Sequence, residues 1–575
     1  MSRKNSGKKA SGQQAPAGAA APAGAAATDG ETAAHGATAA QQSEPEAGRA
    51  ETRSRRQRRR QRAASAAAGL LVLAAASAVM AGSVVADSGK AGRSVDVAAA
   101  EVPAGPLTAV CPEPLRLLSG DVAGTDPEFS PVSASARTSL SAAVLSGPGN
   151  PVPVSSLLRA DGTDLKTIAD DAPDAAAPLA GVRSAGIVSS LDVSEVSVLS
   201  AEPTATLQAT ANAVVSFTAA DGDLAGLAAA NCQAPGNDMW ITGARTTVGA
   251  TAVLRLTNPS ESAATVDLDV YGAKGRAEGT GTRGILIPPG ATKSIVLAGL
   301  AANEPAVAVR VRSSGGPVTA LVQQSILRGL TPGGVELIQP AAAASPQQVI
   351  TGVRVQKPAA TKKVAAQRGY DFVTPAVQVA VPGSTNAVVS VKVLGPRGEL
   401  PIPGGGVFTV DAGSVGQLPL DALAEGTYTV EVTADVAVVA GVSSSRGGEP
   451  NAPVDIAVAP SGERLGSEHL AVMPPHSSSV LTFAAPAGAA EVRLTGVGAD
   501  GGLKEDRVVT VAGGTTLSLP AAEVGSNLAA VLISTTGDAV YGAQVLTTAE
   551  GPGVSVLPLP KGNIGGLSVP VGLGY

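Results

Sequence analysis

The residues best suited to chemistry in this 575-residue chain are two cysteines and three histidines. Cys111 sits in "AVCPEP" and Cys232 in "AANCQAP". Two thiols alone leave a zinc ion unfilled. Both cysteines follow the apolar segment described below, on the side expected to be oxidising. A Cys111–Cys232 disulfide is the expected chemistry, and two separate buried thiols are the alternative. His35 lies in a polar tail. His469 and His476 flank Pro474-Pro475 in "SEHLAVMPPHSSS" and read as exposed loop histidines. Neither is accompanied by a G-x-S-x-G elbow or by the partners a Ser-His-Asp triad needs. Asp161, Asp164, Asp170, Asp171 and Asp174 lack the spacing of a calcium loop and read as a solvated acidic loop. "IPGGGVF" around Gly404 lacks the Gly-Lys-Ser/Thr of a phosphate loop and reads as a hairpin turn. Sugar sites stack rings on aromatic faces, yet the chain has 5 Phe, 5 Tyr and 1 Trp. The single tryptophan, Trp240, is either an exposed platform or the anchor of a core. No catalytic, cofactor-binding or metal residue is assigned, and the chain is read as non-enzymatic and without a cofactor.

The elements carrying these residues follow from composition. Hydrophobic residues make up 44%, drawn mainly from Ala, Val and Leu, with 69 Gly and 42 Pro. That mixture suits short strands joined by tight turns. Residues 1–62 hold 12 Lys+Arg against 5 Asp+Glu, whereas the whole chain has 41 against 47. A basic tail therefore precedes an acidic body, and an acidic body is a poor partner for nucleic acid.

The arginines Arg53, Arg55, Arg56, Arg58, Arg59, Arg60 and Arg62 run directly into the uncharged segment Ala63 to Ala86. As a helix that segment is long enough for a hydrocarbon core of about 30 Å. Positive flanks stay cytoplasmic. The expectation is a single-pass signal-anchor at 63–86, with a disordered basic cytoplasmic tail at 1–62 and the rest extracellular. A cleavable signal and a buried Ala-rich helix are the competing readings.

A repeat organises the remainder. "ATVDLDVYGAKG" (Ala264–Gly275) is answered by "AVVSVKVLGPRG" (Ala387–Gly398) and, more loosely, by "AEVRLTGVGADG" (Ala490–Gly501). Val266, Leu268 and Val270 alternate with polar or aromatic residues, as do Val389, Val391 and Val393, the period of a half-buried strand. Gly272 and Gly275 fall on Gly395 and Gly398, then on Gly498 and Gly501. The fold class expected is all-β, with tandem β-sandwiches of immunoglobulin or fibronectin type. They are read as beads on a string at 236–345, 346–458 and 459–575. A stalk at 87–105 and an irregular β-rich unit at 106–235 precede them. "QPAAAASPQQ" (Gln339–Gln348) and "SSSRGGEPNAPVD" (Ser443–Asp455) read as linkers or long loops.

The apolar segment, "CPEPL" at Cys111, the stretch from Cys232 through Pro259, "IPPG" and the tandem β units together resemble an actinobacterial family of membrane-anchored extracytoplasmic proteins of unknown function. The Ala, Gly, Val and Arg usage matches a GC-rich genome. The resemblance implies a cell-envelope setting, in which the gene often lies beside a large membrane glycosyltransferase. It carries over no catalytic residues. The functional expectation is a non-enzymatic scaffold or partner-binding protein of the envelope, with one membrane span and with a glycosyltransferase or other envelope protein as partner. A glycan-binding module or glycan-modifying hydrolase is the alternative.

Overall fold

Alternating apolar residues become strands where the sequence places them. Ala264–Gly272, Ala387–Gly395 and Ala490–Gly498 are strands, with Val266, Leu268, Val270, Val389, Val391, Val393, Val492 and Leu494 buried. The computed structural model describes residues 99–101, 104–117, 133–171, 181–203, 207–562 and 568–570. The arginine cluster and the apolar segment 63–86 lie outside these residues. Among the described residues no helix is long and apolar enough to cross a membrane.

Four β-sandwiches follow one another. Numbering the strands of each from one to eight, one sheet has the order 1-6-3-4 and the other 5-2-7-8. In the first sandwich the sheets are Leu107–Cys111, Ser197–Ala201, Ser155–Arg159, Asp164–Ala169, and Ala185–Asp192, Arg137–Leu145, Thr210–Ala219, Gly226–Asn231. In the second they are Asp238–Ala244, Val307–Gly315, Ala264–Gly272 with a fourth strand split into Gly275–Arg276 and Ile285–Ile287, and Thr292–Val296, Ala250–Thr257, Thr319–Arg328, Thr331–Ile338.

The third sandwich keeps the order but fuses its sixth and seventh strands into the single strand Gly426–Arg446. The first half of that strand pairs with Ser345–Val355 and Ala387–Gly395, and the second half with Ala376–Ala380 and Asp455–Pro460. The fourth has His469–Val472, Leu528–Gly537, Ala490–Gly498, Leu503–Val511 facing Thr515–Pro520, Ser478–Ala485, Tyr541–Thr547, Val554–Pro558.

Three expectations change here. First, the repeat occurs four times, because the irregular unit shares the strand order of the others. Second, the order is not that of an immunoglobulin domain, where the first two strands share a sheet; here they lie in opposite sheets. Third, the sandwiches are not separate beads. The eighth strand of each, here termed the closing strand, packs on the closing strand of the next, and that of the fourth packs on that of the first. The four closing strands thus form a closed cycle.

Each seam of the cycle has its own core. Phe217 and Leu224 meet Leu321 and Leu337 between the first and second sandwiches. Ile326 meets Tyr370, Phe372 and Ile456 between the second and third. Ile350 and Val353 meet Ala543, Val545 and Val556 between the third and fourth. Leu470, Val472 and Leu532 meet Ala143, Leu145 and Val214, which joins the fourth back to the first. Gln339–Gln348 is part of this packing: the Gln339 side chain is buried, and the Ala341 N–H donates to the Trp240 carbonyl at 2.7 Å.

Cys111 and Cys232, 121 positions apart in sequence, are joined by a disulfide with Cα atoms 4.1 Å apart. It ties the end of the first strand of the first sandwich to the residue after its closing strand, beside the paired backbones of Val110 and Gln233. In the chain-entropy account, closing a loop that long stabilises by about 4–5 kcal/mol. Denaturant unfolding of the oxidised protein is expected to lose about that much on reduction or on Cys111→Ser. Reductant should then have no further effect on Cys111→Ser; a wild-type transition indifferent to reductant would contradict this.

Candidate functional site

The centre of the cycle is polar. Asp455 is the first residue of the third closing strand and is fully buried. Its Oδ1 accepts the Val335 N–H at 2.9 Å; its Oδ2 accepts the N–H groups of Leu227 at 2.8 Å and Val554 at 2.9 Å. One carboxylate therefore bonds to all three of the other closing strands. The residues immediately before these three donors are Gly226, Gly334 and Gly553. A Cβ on Gly226 would lie 2.5 Å from Asp455 Oδ1, and one on Gly334 would lie 2.8 Å from it. Both glycines also have φ in the left-handed region, +148° and +109°. Gly226 and Gly334 make the space that one aspartate fills, whereas a Cβ on Gly553 would meet Thr548 and Leu227.

A second buried acid lies next to it. Glu336 Oε1 accepts from Ser555 Oγ at 2.7 Å and from the Leu337 N–H at 3.0 Å; its Oε2 accepts from the Val458 N–H at 3.4 Å. Ser555 Oγ in turn accepts the Ala229 N–H at 3.1 Å. Asn231 donates its N–H to Gln339 Oε1 at 3.0 Å and its amide to the Pro558 carbonyl at 2.8 Å. Burial pushes the Asp455 carboxyl up to about 8, against the pull of its backbone donors, and pushes Glu336 well above the usual carboxylate range.

Asp455 follows the loop that ends at Pro453 and Val454, and its partner Val554 follows Pro552 and Gly553, so two loop ends meet at the carboxylate. A cleft of about 480 Å³ opens there between the third and fourth sandwiches. Arg354, Lys357, Arg446, Glu425 and Glu449 line it with Val355, Pro453, Pro552 and Val554. The loop Ser443–Asp455 is thus no linker: it runs from the end of a strand, along the cleft, to the central carboxylate.

The residues singled out in the sequence are dispersed. Trp240 is buried, but not in the core of its own sandwich. It packs with Tyr271, Ala308, Ala380 and Val439 in the seam between the second and third sandwiches, with Arg310 over its ring at 5.3 Å. His469 is buried rather than exposed. Its Nε2 accepts the Gly466 N–H at 2.7 Å and its Nδ1 lies 2.7 Å from the Pro560 carbonyl oxygen, a pattern that places the proton on Nδ1. Burial holds its pKa below the ordinary value. His476 is exposed at a turn with φ +65°.

Asp161 folds a turn on itself, accepting the Thr163 N–H at 2.9 Å and the Thr163 hydroxyl at 2.7 Å. Asp170 and Asp171 are exposed, and Asp174 lies outside the described residues. Gly404 and Gly405 form a 3-10 turn between two short strands that both pair with Ala387–Gly395. On the outer face of the second sandwich Asp269 accepts from Arg276, Arg283 and Arg312. Among the described residues, no three His, Cys, Asp or Glu side chains are grouped to hold a metal ion.

Residues 187–522 match the model of a family described as a family of unknown function (DUF5719). The chain belongs to that family. The matched DUF5719 segment contains Asp455, Glu336 and the first three closing strands, and stops before the fourth. No curated protein matches the chain. Two solved structures align over much of it. A biofilm-associated protein BSP domain does so over 82% of this chain and 99% of its own, at 9% identity and a TM-score of 0.13. A Streptomyces avermitilis alpha-L-rhamnosidase complexed with L-rhamnose does so over 73% and 55%, at 10% identity and a TM-score of 0.12. TM-scores this low do not place the chains in one fold.

Two outcomes follow from the centre. Asp455→Ala strands three buried N–H donors, each costing about 1–3 kcal/mol, so equilibrium unfolding should show a loss of about 3 kcal/mol or more. A loss under about 1 kcal/mol would refute the central role. The pH dependence has a definite sign. A carboxyl whose folded pKa is raised stabilises fully below its unfolded value of 3.8 and loses that contribution as pH rises to about 8. The thermal midpoint of wild type relative to Asp455→Asn should therefore fall from pH 4 to pH 8. A difference that is flat or grows with pH would count against it.

Proposed function

We propose that the protein is a non-enzymatic scaffold of the cell envelope, anchored by one membrane span at 63–86, that presents the cycle of sandwiches outside the membrane to a partner protein. The carrying observation is where its buried polar groups point. Asp455, Glu336, Asn212, Asn231 and Glu468 bond across sandwich boundaries to backbone or side-chain groups of neighbouring sandwiches. Groups arranged this way fix the relative placement of four modules, which is what a presenting surface needs. An envelope glycosyltransferase or another envelope-assembly protein is the partner that the resemblance to membrane-anchored envelope proteins implies, and the acidic body argues against nucleic acid.

The test is crosslinking in the native membrane, followed by affinity capture of the full chain and mass spectrometry. Stoichiometric recovery of one envelope protein is expected. The recovered amount should drop when Arg183→Ala opens the seam held by its 2.8 Å ion pair with Glu468. Capture of the bait without any protein partner would sink the reading.

A further inference from the structure

The cleft beside Asp455 has the volume of a small-molecule site, about 480 Å³. Its charge is unbalanced. Arg446 Nη1 donates to the carbonyls of Thr548 at 3.3 Å and Gly553 at 2.9 Å, so its guanidinium is positioned by backbone and not by a carboxylate. Arg354 lines the same cleft, half-buried, and is in no ion pair among the described residues. Lys357 stands at the rim. Of the two acids present, Glu449 is already paired with Lys363 at 2.5 Å. Burial and the neighbouring Arg354 disfavour the charge on Arg446, against the attraction of Asp455. Two arginines held near each other, neither in a salt bridge, gain from an anion that bridges them.

The rest of the lining narrows the ligand. Val355, Ala360, Ala452, Pro453, Pro552 and Val554 are aliphatic, and no lining residue is aromatic. A nucleobase would find no face to stack on. The space exceeds that of a bare oxyanion.

We propose that this cleft binds an anionic group carried on a small saturated body, an acidic sugar or a sugar phosphate, gripped by Arg354 and Arg446. Without an aromatic face the affinity comes from ion pairing, so the charged group is obligatory. The proposal does not depend on the scaffold reading: a presenting scaffold and a partnerless protein can both hold such a ligand.

Isothermal titration calorimetry of the full chain in detergent tests it, with D-glucuronate, glucose 6-phosphate, inorganic phosphate and D-glucose as probes. Saturable binding of glucuronate or glucose 6-phosphate is expected, with none for D-glucose; whichever binds more tightly identifies the carboxylate or the phosphate as the recognised group. Arg354→Gln should weaken binding about tenfold or more, the loss of a charge-assisted bond. It should leave the thermal midpoint unchanged, because Arg354 holds no structural partner, and Arg354→Lys should recover part of the affinity. Absence of saturable binding by either charged sugar, response to inorganic phosphate alone, or binding unaltered by Arg354→Gln would overturn the proposal.

Discussion

A carboxyl group shut away from water must find every hydrogen bond inside the protein, and Asp455 finds its bonds on three other sandwiches. Leu227, Val335 and Val554 donate to it from strands that are otherwise the last edges of their sheets. An exposed strand edge is a liability for a β protein. Here four such edges turn inward, and one side chain satisfies a backbone donor of each of the other three. The arrangement works only if the backbone beside the carboxylate lacks side chains, which is the role of Gly226 and Gly334. Removing the carboxylate leaves three donors without water or partner, while adding a methyl at Gly226 drives into the acid. The four sandwiches are therefore coupled at a point where none can be altered alone.

The cleft is a consequence of that asymmetry. Four similar modules around a centre would leave four similar grooves. The third departs from the others by fusing two strands into Gly426–Arg446 and by adding the helix Pro358–Ala365 between its first two strands. The long path from Arg446 to Asp455 then leaves the surface beside the fourth sandwich open. Arg446 pairs in register with Asp455 across the two strands. The same backbone thus places the central acid inside and a guanidinium at the mouth of the cleft.

Much of the sandwich architecture was legible in the sequence because alternation and paired glycines report directly on strands and turns. The fourth copy was less so. In the first sandwich the third strand is the short Ser155–Arg159, and Arg159 replaces the first glycine of the pair. One signal survived: "ADG" at Ala160–Gly162 matches "ADG" at Ala499–Gly501. Both aspartates bond the backbone two residues on, Asp161 to Thr163 and Asp500 to Gly502. Asp161 belonged to that turn and not to a cation loop. Asp455, Glu336 and the buried state of His469 left no local trace. Their partners come from strands distant in sequence, 228 residues in the case of Leu227 and Asp455. A lone acid in a Pro/Gly-rich stretch reads as a loop until those strands are in place.

Tandem repeats of one topology face the hazard of joining the wrong neighbour, since similar surfaces can exchange. The seams answer it with unlike polar contacts around the apolar ones. Arg255 meets Glu113 between the first and second sandwiches, and Arg245 meets Asp371 between the second and third. Thr516 donates to the Leu394 carbonyl between the third and fourth. Arg183 and Thr210 share Glu468 where the fourth returns to the first. A sandwich placed in the wrong seam would bury at least one of these groups unpaired, at a cost of roughly 1–3 kcal/mol or more. The apolar cores make the modules adhere; the polar contacts decide which module adheres to which. An order fixed in this way lets the chain place Arg446 next to the fourth sandwich and nowhere else, so the cleft is as much a product of the seams as of the third sandwich itself.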